Sequence, residues 1–277
     1  MICFVRRHLC TGLFVPLFAI LLASAAFAQD ERPELSVPEP TRKSKKTSPS
    51  GPFIITVVDY NDAIKQRDYL GQAVPELVAF MSKAVKLKAE IGSNKRKLYD
   101  PRIAESILLY MTGYDATIRL NDTEKKALGD YLKGGGLLYT EDIIPLSDGN
   151  TSGPSISAGR MGTPFDRQLK ALIQDPLVLG RQGRAWNRVP KTHPLFTSYF
   201  EFLDGPPLSG APNGDVTYLE TIEIKGRTAV IFSDLNISWF WANADAEGRD
   251  RSLQFGTNLV VFALAKKLAG RPLPIRR

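Results

Sequence analysis

Three apolar runs constrain this chain more than anything else in it. "FIITVV" (Phe53–Val58), "ILLYM" (Ile107–Met111) and "GLLYT" (Gly136–Thr140) are continuous, and each runs into polar or acidic residues: "DYND", "TGYD" and "ED". A strand with one face in water alternates apolar and polar residues, whereas a strand covered on both faces does not. Between the runs the period changes. "LGQAVPELVAFMSKAVKL" sets Val74, Leu77, Val78 and Met81 at helical spacing, with Pro75 tolerated in the first turn. "LNDTEKKALGDYLKGGG" starts on a cap, Asn121 or Asp122, with Glu124 placed to answer Asn121 in a capping box. Its Leu128, Tyr131 and Leu132, with Leu120 just ahead, are expected to face a sheet. "KLKAEIG" reads as a further strand. Strand and helix therefore alternate, which predicts an α/β fold with a mostly parallel sheet and helices on both faces.

Downstream, "PLSDGNTSGPSISAGRMGTP" is long for a simple connection and reads as a lid or binding loop. "FDRQLKALIQ" reads as a short helix. "DVTYLETIEIKGRTAVIFSD" reads as two strands around Lys225-Gly226, and "SLQFGTNLVVFALAKKL" as a last, strongly apolar helix.

The first 28 residues have a different character. Arg6 and Arg7 precede the run "LFVPLFAILLASAAF", which ends in the small residues of "AFA". This is the order of a secretory signal, with cleavage expected near Ala28 and a periplasmic or secreted destination. Both cysteines, Cys3 and Cys10, lie inside it, so the exported chain is expected to hold no disulfide, no thiolate metal site and no cysteine nucleophile. Residues 29–52 are rich in Pro, Ser and charge and include the basic "TRKSKKTSPS". This segment reads as a disordered linker, either simply solvated or in contact with a membrane surface. One domain over residues 53–270 and a basic tail over 271–277 complete the organisation. The whole chain carries a formal charge of +7, two of it from Arg6 and Arg7 in the signal.

The glycine triplet Gly134–Gly136 invites a phosphate-binding reading, and its position argues against one. A phosphate cradle precedes a helix, where backbone N–H groups point at the anion. Here the glycines follow a helix, where the free groups are carbonyls. Neither a Walker loop nor a G-x-G-x-x-G between strand and helix occurs, so no nucleotide cofactor is expected; no nucleic-acid partner is expected either.

In open parallel sheets ligands bind beyond the carboxyl ends of the strands. That rule gathers Asp59, Tyr60, Asn61 and Asp62 after the first strand, and Gly113, Tyr114 and Asp115 after the third. It adds Glu141 and Asp142, then Ser233 and Asp234. The carboxylates suit a hard divalent cation, and they equally suit caps and turns. Asp142 and Asp234 are the stronger functional candidates, because one sheet edge should carry both. His193, the one histidine beyond the signal, suits a general base or ligand, or an extended turn before Pro194. Ser233 lacks a nucleophile elbow. Trp239 and Trp241 suit sugar stacking or a core.

"LLYMTGYDATIRLNDTEKKALGDYLKGGGLLYTED", "FDRQLKALI", "RVPKTHPLF", "GRTAVIFSDLNISWFW" and "QFGTNLVVFALA", in that order, resemble domain-of-unknown-function family 4159 (DUF 4159) over Phe53 to Leu268. The resemblance implies a class I glutamine amidotransferase-like fold, a flavodoxin-like three-layer sandwich similar to trehalose-utilisation-type proteins, and no assigned reaction. The family often has His where Tyr114 stands, and paired Asp where Glu141-Asp142 stands. Amidotransferase chemistry needs a cysteine at a strand–helix elbow, which the exported chain lacks. The expectation is an exported, non-catalytic binding or assembly domain for a small molecule or an envelope protein. The alternative is a periplasmic hydrolase or carbohydrate-processing enzyme using Asp142, Asp234 and His193, with or without a divalent cation.

Overall fold

Successive side chains of the central strands enter two different apolar layers, and this alternation builds the molecule. The computed structural model describes residues 52–60, 71–85, 89–113, 118–143, 163–210 and 216–269. Five strands run parallel: β1 (Phe53–Val58), β2 (Ile91–Arg96), β3 (Leu108–Gly113), β4 (Leu138–Asp142) and β7 (Arg227–Ser233). Two more, β5 (Asn187–Arg188) and β6 (Glu220–Ile224), extend the sheet antiparallel beyond β7. The order across the sheet is β2-β1-β3-β4-β7-β6-β5.

Leu108, Tyr110, Tyr139 and Ile231 fill one layer, together with α1 (Ala73–Ala84), α4 (Ile237–Ala242) and the long α5 (Arg249–Ala269). Leu109, Met111, Leu138, Val230 and Phe232 fill the other, with α2 (Asp122–Lys133) and α3 (Pro164–Gln174). The product is a mostly parallel seven-stranded sheet between two helical layers. The central strands are buried along their whole length, as their continuous apolar sequence requires. Among the described residues no helix is long and apolar enough to cross a membrane.

In α1, Val74, Leu77 and Met81 are buried and Val78 packs at their margin. The capping box of α2 forms: Asn121 Oδ1 accepts from Glu124 N at 3.0 Å, and Glu124 Oε2 accepts from Asn121 N at 3.0 Å. Gly134 keeps a helical φ of −73°, and Gly135 takes the left-handed turn at φ +100°. The glycines thus end the helix and release the chain into β4. Lys225 and Gly226 (φ 51° and 71°) form the two-residue turn between β6 and β7. One strand is displaced from its expected place. The second strand begins at Ile91 and continues through "IGSNKR", instead of occupying "KLKAEIG". It is an edge strand paired only with β1, so it needs little apolar sequence and gives a weak signal.

Candidate functional site

The carboxyl ends of β4 and β7 lie side by side, in the register Glu141↔Ser233. Neighbouring residues of a strand point to opposite faces. The pair Glu141-Asp142 is therefore split between the two layers: Glu141 meets Ser233 of β7, and Asp142 lies within electrostatic reach of Asp234, the residue after β7.

Glu141 is fully buried and accepts hydrogen bonds from five donors. Ser233 Oγ donates at 2.6 Å, Tyr139 Oη at 3.1 Å, and the backbone N–H groups of Ile237 and Ser238 at 2.7 Å each; Ser238 Oγ also donates. The two amides are the first of α4, so this carboxylate closes the helix N-terminus that follows β7. Burial pushes its pKa up, while Ser233, Ser238 and Ile237 pull it down. Ser233 Oγ in turn accepts from Leu235 N at 3.1 Å. Glu141 and Ser233, both candidate ligand groups by sequence, are instead committed to holding the chain after β7.

Asp142 faces the other layer and has a different environment. Among the described residues neither of its buried oxygens has a hydrogen-bond partner, and the nearby hydroxyl and amide of Thr163 only partly offset the cost of burial. Its pKa is pushed up to about 8 by burial, with the charges of Asp234 and Asp166 adding to the effect. Asp234 is 7% exposed, with Oδ1 unpartnered among the described residues, and burial raises its pKa to about 7, with Asp166, Glu220 and Glu141 adding and Lys170 opposing.

Three residues complete this cluster. Asp166 lies in the first turn of α3, whose N-cap is Thr163, and Lys170 lies one turn on. Lys170 Nζ pairs with Asp166 Oδ1 at 3.1 Å and with Glu220 Oε2 at 2.9 Å. It also sits 4.8 Å from the centroid of Phe232 and 5.7 Å from that of Trp186. The indole Nε1 of Trp186 is buried without a partner. Buried polar atoms in native proteins are nearly always paired. Among the described residues, both Asp142 oxygens, Asp234 Oδ1 and Trp186 Nε1 are unpaired in this one place.

The remaining candidates are dispersed. Asp59 ion-pairs with Lys97 (3.5 Å) and Lys95 (3.8 Å) toward the β2 edge of the sheet. Gly113 pairs with Asp142 in register, but a Cβ there would lie 2.4 Å from Phe165 Cδ2 and 2.7 Å from Tyr60 Oη, so close packing accounts for it. Tyr60 Oη donates to Thr112 O at 2.6 Å. Asn61, Asp62, Tyr114 and Asp115 lie outside the described residues, as do the expected signal, linker, tail and most of the long loop after β4.

His193 does not join the carboxylates. It caps the short 3-10 turn Pro194–Thr197, with Nδ1 accepting from Leu195 N at 3.2 Å and Nε2 at 3.1 Å from Thr228 Oγ1. Thr228 is the second residue of β7, so His193 lies at the amino edge of the sheet, opposite the acids. Burial lowers its pKa. Trp241 is a core residue: it stacks on Tyr139 at 6.0 Å and donates from Nε1 to Ser252 O at 2.8 Å. Trp239 packs edge-on against Phe240.

Asp166, Lys170, Trp186 and Glu220 were not among the sequence candidates. Only the i, i+4 pair Asp166–Lys170, directly after the helix-starting Thr163-Pro164, gave a signal, and such pairs are common on exposed helices. Among the described residues no group of three or more His, Asp or Glu is arranged to hold a metal ion. The cluster is therefore a pair of near-neutral carboxyls beside a salt-bridged lysine, able to exchange protons and to give and accept hydrogen bonds. No curated protein matches the chain. The whole cluster falls within residues 55–264, which match the model of a domain of unknown function, DUF4159, and the chain is a member of that family.

Proposed function

We propose that the chain is an exported binding or assembly domain with a class I glutamine amidotransferase-like, flavodoxin-like fold, which holds a polar ligand at the carboxyl edge of its sheet. The order of the parallel strands, β2-β1-β3-β4-β7, supports the fold reading, because it repeats the 2-1-3-4-5 order of flavodoxin-like sheets. The observation that carries the function is the group of unsatisfied buried atoms on Asp142, Asp234 and Trp186. Carboxyls titrating near neutrality can donate as well as accept, and the adjacent acids repel an anion. The ligand class is therefore neutral or cationic and rich in hydroxyl, amide or amine groups. Export rests on the N-terminal signal pattern.

The test is a thermal-shift screen of the exported protein against polyols, sugars, amino compounds and small anions. A polar hit whose stabilisation disappears in both Asp142→Ala and Asp234→Ala is the expected result. A hit untouched by either substitution, or a preference for anions, overturns the reading.

A second reading draws on one observation. Two adjacent carboxyls with pKa values raised to about 8 and about 7 resemble a general acid–base pair. On that reading the domain is a hydrolase or carbohydrate-processing enzyme that uses Asp142 and Asp234, with His193 too distant to take part. Turnover with a bell-shaped pH profile, lost in Asp142→Asn and Asp234→Asn alike, moves the assignment from binding to catalysis.

A further inference from the structure

We propose that the amino edge of the sheet carries a second site, for a small amphipathic carboxylate, between the ends of α2 and α5 and the turn joining β6 to β7. A cavity of about 930 Å³ opens there, within the size range of small-molecule sites. Its walls are largely apolar, with Leu98, Ile103, Tyr131, Pro194 and Phe262 among them. Gly135 forms part of the rim because Arg227 lies over it: a Cβ at that position would sit 2.4 Å from Arg227 Nη1.

The charges in the cavity favour an anion. Arg227, Lys266 and Lys267 line it, against Asp100, Asp130 and Glu223. Asp100 is already held by Arg96 and Arg102 at 2.8 Å each, and Asp130 by Lys126 at 2.6 Å, which leaves Glu223 beside Arg227 and Lys266. Two helix C-termini reach this edge and by themselves attract cations. At the end of α2 that attraction is answered by Arg227, whose Nη2 donates to Lys133 O at 3.2 Å, while Lys267 Nζ donates to Ala104 O at 2.7 Å and Lys266 Nζ to Thr228 O. Among the described residues neither Arg227 nor Lys266 donates to a carboxylate. Lys266 is half-buried beside the Phe262 ring, and burial lowers its pKa to about 8, with Arg227 adding to the fall and Glu223 opposing it. A carboxylate set between Lys266 and Arg227 supplies the counter-charge that the ammonium lacks, while a hydrocarbon body covers Phe262 and Ile103.

The site is independent of the acids at the other edge, so the experiment separates the two. Octanoate and octan-1-ol are titrated calorimetrically into the exported protein. Octanoate is expected to bind roughly tenfold or more tightly than the alcohol, the difference of one charge-assisted contact. Lys266→Met should reduce octanoate affinity by a similar factor. Ala104→Trp, a change at an exposed wall position, should abolish it, and Asp142→Asn should leave it unchanged. Absence of octanoate binding to the unsubstituted protein, equal affinity for the alcohol, or affinity unchanged in Lys266→Met or in Ala104→Trp overturns the proposal. If Lys266→Met does not fold, the alcohol comparison and Ala104→Trp decide.

Discussion

Glu141 and Asp142 are neighbours with opposite roles, and the pleat of one strand separates them. Glu141 enters a pocket of five donors and Asp142 a pocket that offers almost none. Substitution should expose the difference. In Glu141→Gln an NH₂ group replaces an acceptor among groups that all donate, two of them the first amides of α4. Buried donors lose their partner and the new amide finds none, which costs about 2–4 kcal/mol. Asp142→Asn, by contrast, replaces a carboxyl already biased toward its neutral form, so near pH 7 it should be neutral to stabilising. Urea denaturation of the three proteins at pH 7 checks the pair, and equal destabilisation by both substitutions would contradict the assignment of roles.

At the scale of elements, the end of α2 shows what local sequence can specify. Gly135 combines φ +100° with a contact that leaves no room for a Cβ beside Arg227. Gly135→Ala should cost about 1–2 kcal/mol through backbone strain. It should also displace the Arg227 guanidinium from Lys133 O, a loss visible as a lower thermal midpoint. This turn, the capping box at Asn121 and Glu124, and the buried strands β1, β3 and β4 were legible because each is specified by residues within one or two turns of each other. The displaced β2 and the two-residue β5 were less so, since edge strands are fixed by their neighbours more than by their own apolar content. The candidate site divides the same way. Asp142 and Asp234 were legible as strand ends. Their union with Asp166, Lys170 and Trp186 depends on how α3 packs on the sheet and how Trp186 packs against Phe232, contacts that no window of sequence contains. His193 failed as a partner for the same reason: its distance from the acids is set by which end of β7 it meets.

Across the whole molecule, the buried acids leave a signature in how stability depends on pH. Asp142 and Asp234 have folded-state pKa values raised to about 8 and about 7, above the ordinary carboxylate range they regain on unfolding. Between those limits the folded state holds more protons than the unfolded one, so stability must fall as pH rises. Each group contributes a slope of about 1.4 kcal/mol per pH unit while it titrates, and less where the two share a proton. Near and above neutrality two of the described groups act the other way. His193, with its pKa lowered by burial, adds stability as pH rises toward its ordinary value, and Lys266 does so only above about 8. The clearest window therefore lies between about pH 7 and about 8, where the unfolded imidazole is already mostly neutral and Lys266 is only starting to titrate. In that window urea-derived stability should decline with pH. Asp142→Asn should flatten the decline and gain most at its alkaline end, because an amide carries no charge to bury. A stability curve that rises across this window, or an Asp142→Asn curve as steep as the parent, would mean that the two carboxyls are ionised and partnered in the folded protein, and the binding site proposed from their unsatisfied oxygens would fall with them.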